Sequence, residues 1–166
     1  ARARSRPRCV NPPGRNCPLS YPYRPEACDR VPELAADTVW IAGGLYGNRF
    51  ALQALRDLFE KEKGSKALVF NGDFHWFDAD RTLFSSVNAE VMKFHALRGN
   101  VETELLESGF DAGCGCAYPE WVDDGTVSRS NEIMVRLRAA AQDAARLAGL
   151  PMHLVARVGP ARAGIV

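Results

Sequence analysis

The sequence predicts an α/β domain built on a parallel sheet. Two observations carry that prediction. Short apolar runs rich in β-branched and aromatic residues alternate with stretches whose apolar residues recur at helical spacing. Each of the first three apolar runs also stops at a glycine-containing turn. The order strand, helix, strand, helix, strand between residues 37 and 100 points to parallel strands joined by crossovers. A chain of 166 residues, 46% hydrophobic and 25% charged, is long enough for one domain with a real core.

Thr38-Val39-Trp40-Ile41-Ala42 reads as a buried strand closed by Gly43-Gly44. Asn48 can cap the first helix. Phe50, Leu52, Leu55, Leu58 and Phe59 then recur at helical spacing as far as the polar EKEKGS break at 60–65. Ala67-Leu68-Val69-Phe70 is the second buried run. Asp80 or Thr82 can start the next helix, whose stripe is Phe84, Val87, Val91 and Phe94. His95-Ala96-Leu97-Arg98 is a third short strand, ended by Gly99-Asn100.

Residues 109–126 are rich in glycine and aspartate and read as an irregular insertion. Ile133, Leu137, Ala140, Ala144 and Leu147 mark one helix of about twenty residues, ended by Gly149 and Pro151. The tail, MHLVARV-GPA-RAGIV, reads as a hairpin around a Gly-Pro turn.

The formal charge of +1 gives no global reason to propose nucleic acid as a partner, and no run of apolar residues is long enough to span a membrane. The balance hides an asymmetry. Residues 1–30 carry seven arginines against Glu26 and Asp29, and seven of the ten prolines precede residue 33. Residues 1–36 therefore read as an Arg/Pro-rich arm lying over the domain of residues 37–166, or partly disordered. The arm lacks the apolar core of a secretory signal. The five cysteines, at 9, 17, 28, 114 and 116, show no CxxC pair. They read as reduced thiols of a cytoplasmic protein, with GCGC at 113–116 a weak metal signal. The chain has no initiator Met and ends on the strand-like ARAGIV, so it reads as part of a longer protein.

Three turns carry the candidate chemistry: Gly43-Gly44-Leu45-Tyr46-Gly47-Asn48, Gly72-Asp73 and Gly99-Asn100. In a parallel sheet they converge on the carboxyl edge, where ligands bind. Asp73 and Asn100 offer a carboxylate and an amide oxygen, hard donors suited to a divalent cation. Each also has a plain structural role open to it, Asp73 as a cap and Asn100 as a turn residue. His75 can touch substrate or fill a polar gap under Trp76. Tyr46 can hydrogen-bond a phosphate oxygen or pack as an aromatic. Asn48 can contact phosphate or cap its helix. His95 and His153 read as structural. No GxGxxG, Gly-x-Ser-x-Gly or Walker pattern is present.

LVFNGDFHWFD, LRGNVETEL and IAGGLYGNRFALQAL resemble, in order and spacing, the GD, GNH[DE] and D-x-H blocks of the calcineurin-like metallophosphoesterases. The resemblance covers roughly residues 38–103. It implies a layered α/β/β/α sandwich, of which this chain would hold the N-terminal β-α-β-α-β part, a helical insertion and a hairpin. It implies a metal-dependent hydrolase acting on a phosphate mono- or diester through two divalent ions (Mn, Fe, Zn or Mg) and a metal-activated water. Asp73 would bridge the ions and Asn100 would ligate the second. His75 and Tyr46 would stand near the phosphate as catalytic groups, with Asn48 a phosphate contact. The partner is a small phosphoester.

Gly44 stands where the family has its first Asp, Tyr46 where it has His, and Val101 where it usually has the general-acid His. His75, Asp78 and Glu102 are nearby candidates for rebuilding the ligand set. A further His is expected within a few residues after Val166. The alternative is a degenerate, non-catalytic relative with a binding or scaffolding role.

Overall fold

The computed structural model describes residues 11–18, 24–107, 109, 112–141 and 144–166. Arg2, Arg4, Arg6, Arg8 and Cys9 of the arm lie outside them. The described chain is mixed α/β with two small sheets. β1 (Leu34–Ala36) is followed by β2 (Thr38–Ala42), α1 (Arg49–Lys61), β3 (Lys66–Asn71), α2 (Arg81–Val91), β4 (His95–Leu97) and α3 (Asn100–Leu106). Then come α4 (Asp124–Ala140), α5 (Ala144–Leu147), β5 (Leu154–Val158) and β6 (Ala161–Ile165).

One sheet has the order β2-β3-β4, all parallel, with Thr38 beside Lys66 and Val69 beside His95. The parallel reading of the first three strands therefore holds. The other sheet has the order β1-β5-β6. In it β1 runs parallel to β5, and β5 and β6 form the expected antiparallel hairpin. Gly159 turns that hairpin at φ 57°, where a side chain would be strained.

Strand alternation sorts the core into two clusters. Leu68 and Phe70 of β3 face α1 and α2, packing with Leu52, Phe59, Phe84, Val87 and Val91. Val69, between them, faces the second sheet and packs with Leu97, Leu154, Ala156 and Ile165. Helices thus cover one face of β2-β3-β4, and β1-β5-β6 lies against the other.

The helix starts obey local capping. The Asn48 side chain accepts from the Phe50 and Ala51 N–H groups at 3.1 and 3.0 Å, and Asp80 accepts from Thr82 and Leu83 at 3.0 Å each. Asn48→Ala is expected to lower stability by about 1 kcal/mol, read from the shift in urea midpoint at unchanged slope.

Three expectations are corrected. Thr38–Ala42 is not a buried strand: it lies at the edge of its sheet and Ile41 is 53% exposed. In α1 only Leu52 and Phe59 are buried, while Phe50 and Leu58 of the expected stripe face out. The single helix through Leu147 is two helices. Asp123 caps the first inside the presumed insertion, accepting from the Thr126 N–H at 2.9 Å, and Ala141 leaves helical geometry at ψ 74°. The break lets Leu147 of α5 reach full burial. The stretch after Gly99, for which the sequence offers no element, is a helix, α3. Its buried Glu102, Thr103 and Glu104 interrupt the apolar stripe by which a helix is recognised.

The boundary at residue 36 closes on β1, a strand of the second sheet. Residues 11–18 hold the loop before α4. Gly14 donates to Ala112 O and accepts from the Tyr118 N–H, each at 2.9 Å. Arg15 donates to Pro119 O at 2.7 Å, to Val122 O at 2.8 Å and to Asp124 at 2.7 Å.

Candidate functional site

The loops after β2, β3 and β4 meet at one sheet edge because their backbones bond directly. The Tyr46 N–H donates to Asp73 O at 3.1 Å, and the Gly47 N–H to Phe74 O at 2.8 Å. The β3 and β4 loops touch at Gly72 and Gly99. A Cβ on Gly72 would lie 2.6 Å from Gly99 Cα, and one on Gly99 would lie 2.2 Å from Asp73 Oδ1. Glycine is required at both positions because the backbones approach too closely for a side chain.

Asp73 lies in the left-handed region at φ 52°, a conformation that aspartate tolerates better than most residues. That turn aims its carboxylate across to the next loop, where Oδ1 accepts from the Val101 N–H at 3.1 Å. Asp73 therefore caps a helix, but it is α3, beyond the following strand, and not the chain next to it. Burial pushes its carboxyl above the usual range, while the N–H groups of Val101 and Asn100 pull it back.

Beneath Asp73 lies Glu102, fully buried at the third position of α3. Its Oε2 accepts from the Asp73 N–H at 2.8 Å and the Gly99 N–H at 3.0 Å, and its Oε1 accepts from the His75 N–H at 3.1 Å. One carboxylate thus clasps both loops. Burial and the nearby Asp73 charge raise its carboxyl to about 7, against the lowering effect of His75 and these N–H donors.

Tyr46, Asp73 and Asn100 line a single open cavity of about 360 Å³, together with Trp76, Phe77, Val101, Cys116 and Tyr118. These three of the five expected site residues are brought together. The other two lie elsewhere. Asn48 spends its side-chain oxygen on the α1 cap. His75 has no exposed surface and does not line the cavity. Its Nδ1 lies 2.5 Å from Asp78 Oδ2, its Nε2 lies 3.3 Å from Asn88 Oδ1, and its ring stacks on Phe84 at 3.8 Å. The expectation that His75 meets substrate is corrected: it joins the β3 loop to α2 from below. Its neighbours Phe74 and Trp76 are buried too, so the chain here packs three consecutive rings into the core.

The position of Gly44 has a local explanation. A Cβ there would lie 2.5 Å from Cζ and 2.8 Å from Oη of Tyr46. The tyrosine ring therefore covers the space beside Gly44, and Gly44 and Tyr46 fit as a pair. Phe77 meets Tyr46 edge to face at a centroid distance of 6.4 Å, and the two rings are 63% and 47% exposed.

Sequence reasoning passes over Phe77 and Tyr118, takes Cys116 only as part of the weak GCGC signal, and takes Glu102 only as a spare ligand. Phe77 has a local signal: an aromatic cluster directly after a Gly-Asp turn. Tyr118 has none, and GCGC does not place Cys116 at the cavity, because the long loop that carries both is placed by Arg15 and Asn131. Among the described residues no three His, Cys, Asp or Glu side chains gather as a metal site, and no helix is long and apolar enough to cross a membrane. Comparison with family models, curated proteins and solved structures returned no match.

Proposed function

We propose that the cavity over Asp73 is the site of a metal-dependent phosphoesterase resembling the calcineurin-like enzymes, within the layered sandwich that this resemblance implies. The observation that supports this most is the convergence of Tyr46, Asp73 and Asn100, from three successive parallel strand ends, on one cavity. Asp73 and Asn100 are hard oxygen donors that suit a divalent cation, and among the described residues no lysine, arginine or histidine lines the cavity to meet a phosphate by itself. A bound divalent cation would supply charge for the phosphoryl oxygens and acidify a water nucleophile.

The chain's own residues do the rest. Glu102 holds the Asp73 and Asn100 loops in register. The Tyr46 hydroxyl donates to a phosphate oxygen, and Trp76, Phe77 and Tyr118 receive the organic part of the ester. The second reading, a binding protein without turnover, is favoured by one observation. Gly44 and Tyr46 provide neither the carboxylate nor the imidazole that the family has there, and the tyrosine ring covers the place.

Protein expressed from its complete coding sequence and purified with Mn²⁺ is expected to carry a divalent ion and to hydrolyse an aryl phosphate ester. Asp73→Asn keeps an acceptor for the Val101 N–H but removes the charge, and is expected to lose metal and turnover by more than the roughly 10–100-fold that losing an outer-shell partner of a metal ligand costs. A variant with unchanged metal and rate would overturn the assignment of Asp73. Inactive wild type, metal-free after exposure to Mn²⁺, Fe²⁺, Zn²⁺ and Mg²⁺, would leave the binding reading standing.

A further inference from the structure

We propose that Cys114 and Cys116 form a reversible intrachain disulfide on the wall of the Asp73 cavity, coupling the shape of that cavity to thiol redox state. The inference stands on how the loop is built. Gly113 and Gly115 flank Cys114 at φ 67° and 68°, and Ala117 comes next at φ 50°, so the chain turns tightly around the two thiols. That turn is pinned from three directions. Cys114 N–H donates to Asn131 Oδ1 of α4 at 3.0 Å, Gly115 N–H to Ala112 O at 3.1 Å, and Ala117 N–H to Asn16 O at 3.2 Å. Gly115 also allows no side chain, because a Cβ there would lie 2.7 Å from Glu104 Cγ.

The two thiols stand on this one turn, separated by a single glycine, and Cys116 Sγ reaches back to donate to Cys114 O at 3.6 Å. Cys114 is fully buried, whereas Cys116 is half-buried and lines the cavity with Asp73 and Tyr118. One thiol is therefore reachable and the other waits behind it, the arrangement of an attacking and a resolving cysteine. The charge rests first on Cys114, lowered by the neighbouring Cys116 thiol, while Cys116 is raised by the Cys114 sulfur beside it and by burial, so Cys116 attacks after giving its proton to Cys114. A ring closed across a single glycine is small and strained, which makes the bond labile and suits a reversible one.

The oxidant is a low-molecular-weight disulfide, RS–SR. The Cys116 thiolate attacks one sulfur, the S–S bond breaks, and one RS⁻ leaves and takes the Cys116 proton. The Cys114 thiolate then attacks Cys116 Sγ in the mixed disulfide and expels the second RS⁻, which takes the Cys114 proton. The cysteine pair loses two electrons, RS–SR gains them, and two RSH are formed.

The test is exposure of the reduced protein to oxidised glutathione, followed by alkylation, intact mass and peptide mapping. The wild type is expected to lose two hydrogens and to show a Cys114–Cys116 link that dithiothreitol reverses. Cys114→Ser is expected to stop at a glutathione adduct on Cys116, and Cys116→Ser to give no adduct on Cys114. Amide exchange at Cys116–Tyr118 and Asn100–Glu102 is expected to differ between the reduced and oxidised forms. Both thiols remaining alkylatable, or Cys116 pairing instead with Cys9, Cys17 or Cys28, would overturn the pair. A disulfide that leaves exchange around the cavity unchanged would overturn the coupling. None of these readouts depends on the phosphoesterase reading.

Discussion

Glu102→Ala is expected to lower stability by about 3–5 kcal/mol, the range for leaving several buried donors without an acceptor. The N–H groups of Asp73, Gly99 and His75 all bond to this one carboxylate. Glu102→Gln keeps the shape but turns one of the two accepting atoms into a donor, so it is expected to lose about 1–2 kcal/mol. Denaturant unfolding of both variants at constant slope measures the difference.

The same group makes stability depend on pH. Burial and the Asp73 charge raise the Glu102 carboxyl from an ordinary 4.5 to about 7. Between those pH values the native state holds a proton that the unfolded state has released. Its contribution to unfolding free energy therefore declines as pH rises through this window, by up to about 3 kcal/mol. Glu102→Gln removes the titrating group and is expected to flatten that part of the stability profile. An equally steep profile in the variant would assign the slope to another group.

The second large effect is expected at Gly99. A Cβ there meets Asp73 twice, at 2.2 Å from Oδ1 and 2.6 Å from the backbone N. The backbone atom cannot swing aside as a side chain would, so Gly99→Ala must part the β3 and β4 loops. Overpacking of this kind costs about 1–3 kcal/mol, and more if the Glu102 bonds are lost with it. The φ of Gly99 is −75°, open to any residue, so the cost is one of contact and not of backbone conformation. If the cavity holds a divalent ion as proposed, the variant is expected to lose affinity for it by more than its stability loss explains, because Asp73 and Asn100 sit on the two displaced loops. Thermal unfolding with and without Mn²⁺ separates the two effects. A Gly99→Ala protein as stable as wild type would show that the loops can part freely.

Much of the scaffold is written locally. Asn48 and Asp80 announce their helices by capping chemistry within a few residues of themselves. Leu68, Val69 and Phe70 announce a strand, and Gly159-Pro160 a hairpin. The candidate site is legible to the extent that it sits where such strands end. Asp73 and Asn100 stand out because each comes directly after a glycine at the close of an apolar run.

His75 misleads for the opposite reason. Next to a candidate ligand it has the chemistry of a catalytic residue, and nothing in FHW shows which ring turns inward. That is settled by Phe84, Asn88 and Asp78, the first two on a helix that begins beyond the loop. The helix after Gly99 escapes sequence reading because its buried acids Glu102 and Glu104 look like a solvated face. They are buried because Glu102 collects backbone donors from two loops and Glu104 pairs with Arg138 at 3.2 Å.

The sequence by itself determined the order of elements, the parallel strand-end geometry and the two residues, Asp73 and Asn100, that this geometry presents. Periodicity, caps and glycine turns depend on neighbours a few positions away, and a single chain displays them. Only the tertiary structure decided what surrounds Asp73: the Glu102 clasp beneath it, the Tyr46 ring over Gly44, and a wall of Phe77, Tyr118 and Cys116. Those contacts join residues from distant parts of the chain. They are selected by the way two apolar clusters close on opposite faces of β3, which no short stretch of sequence can specify alone.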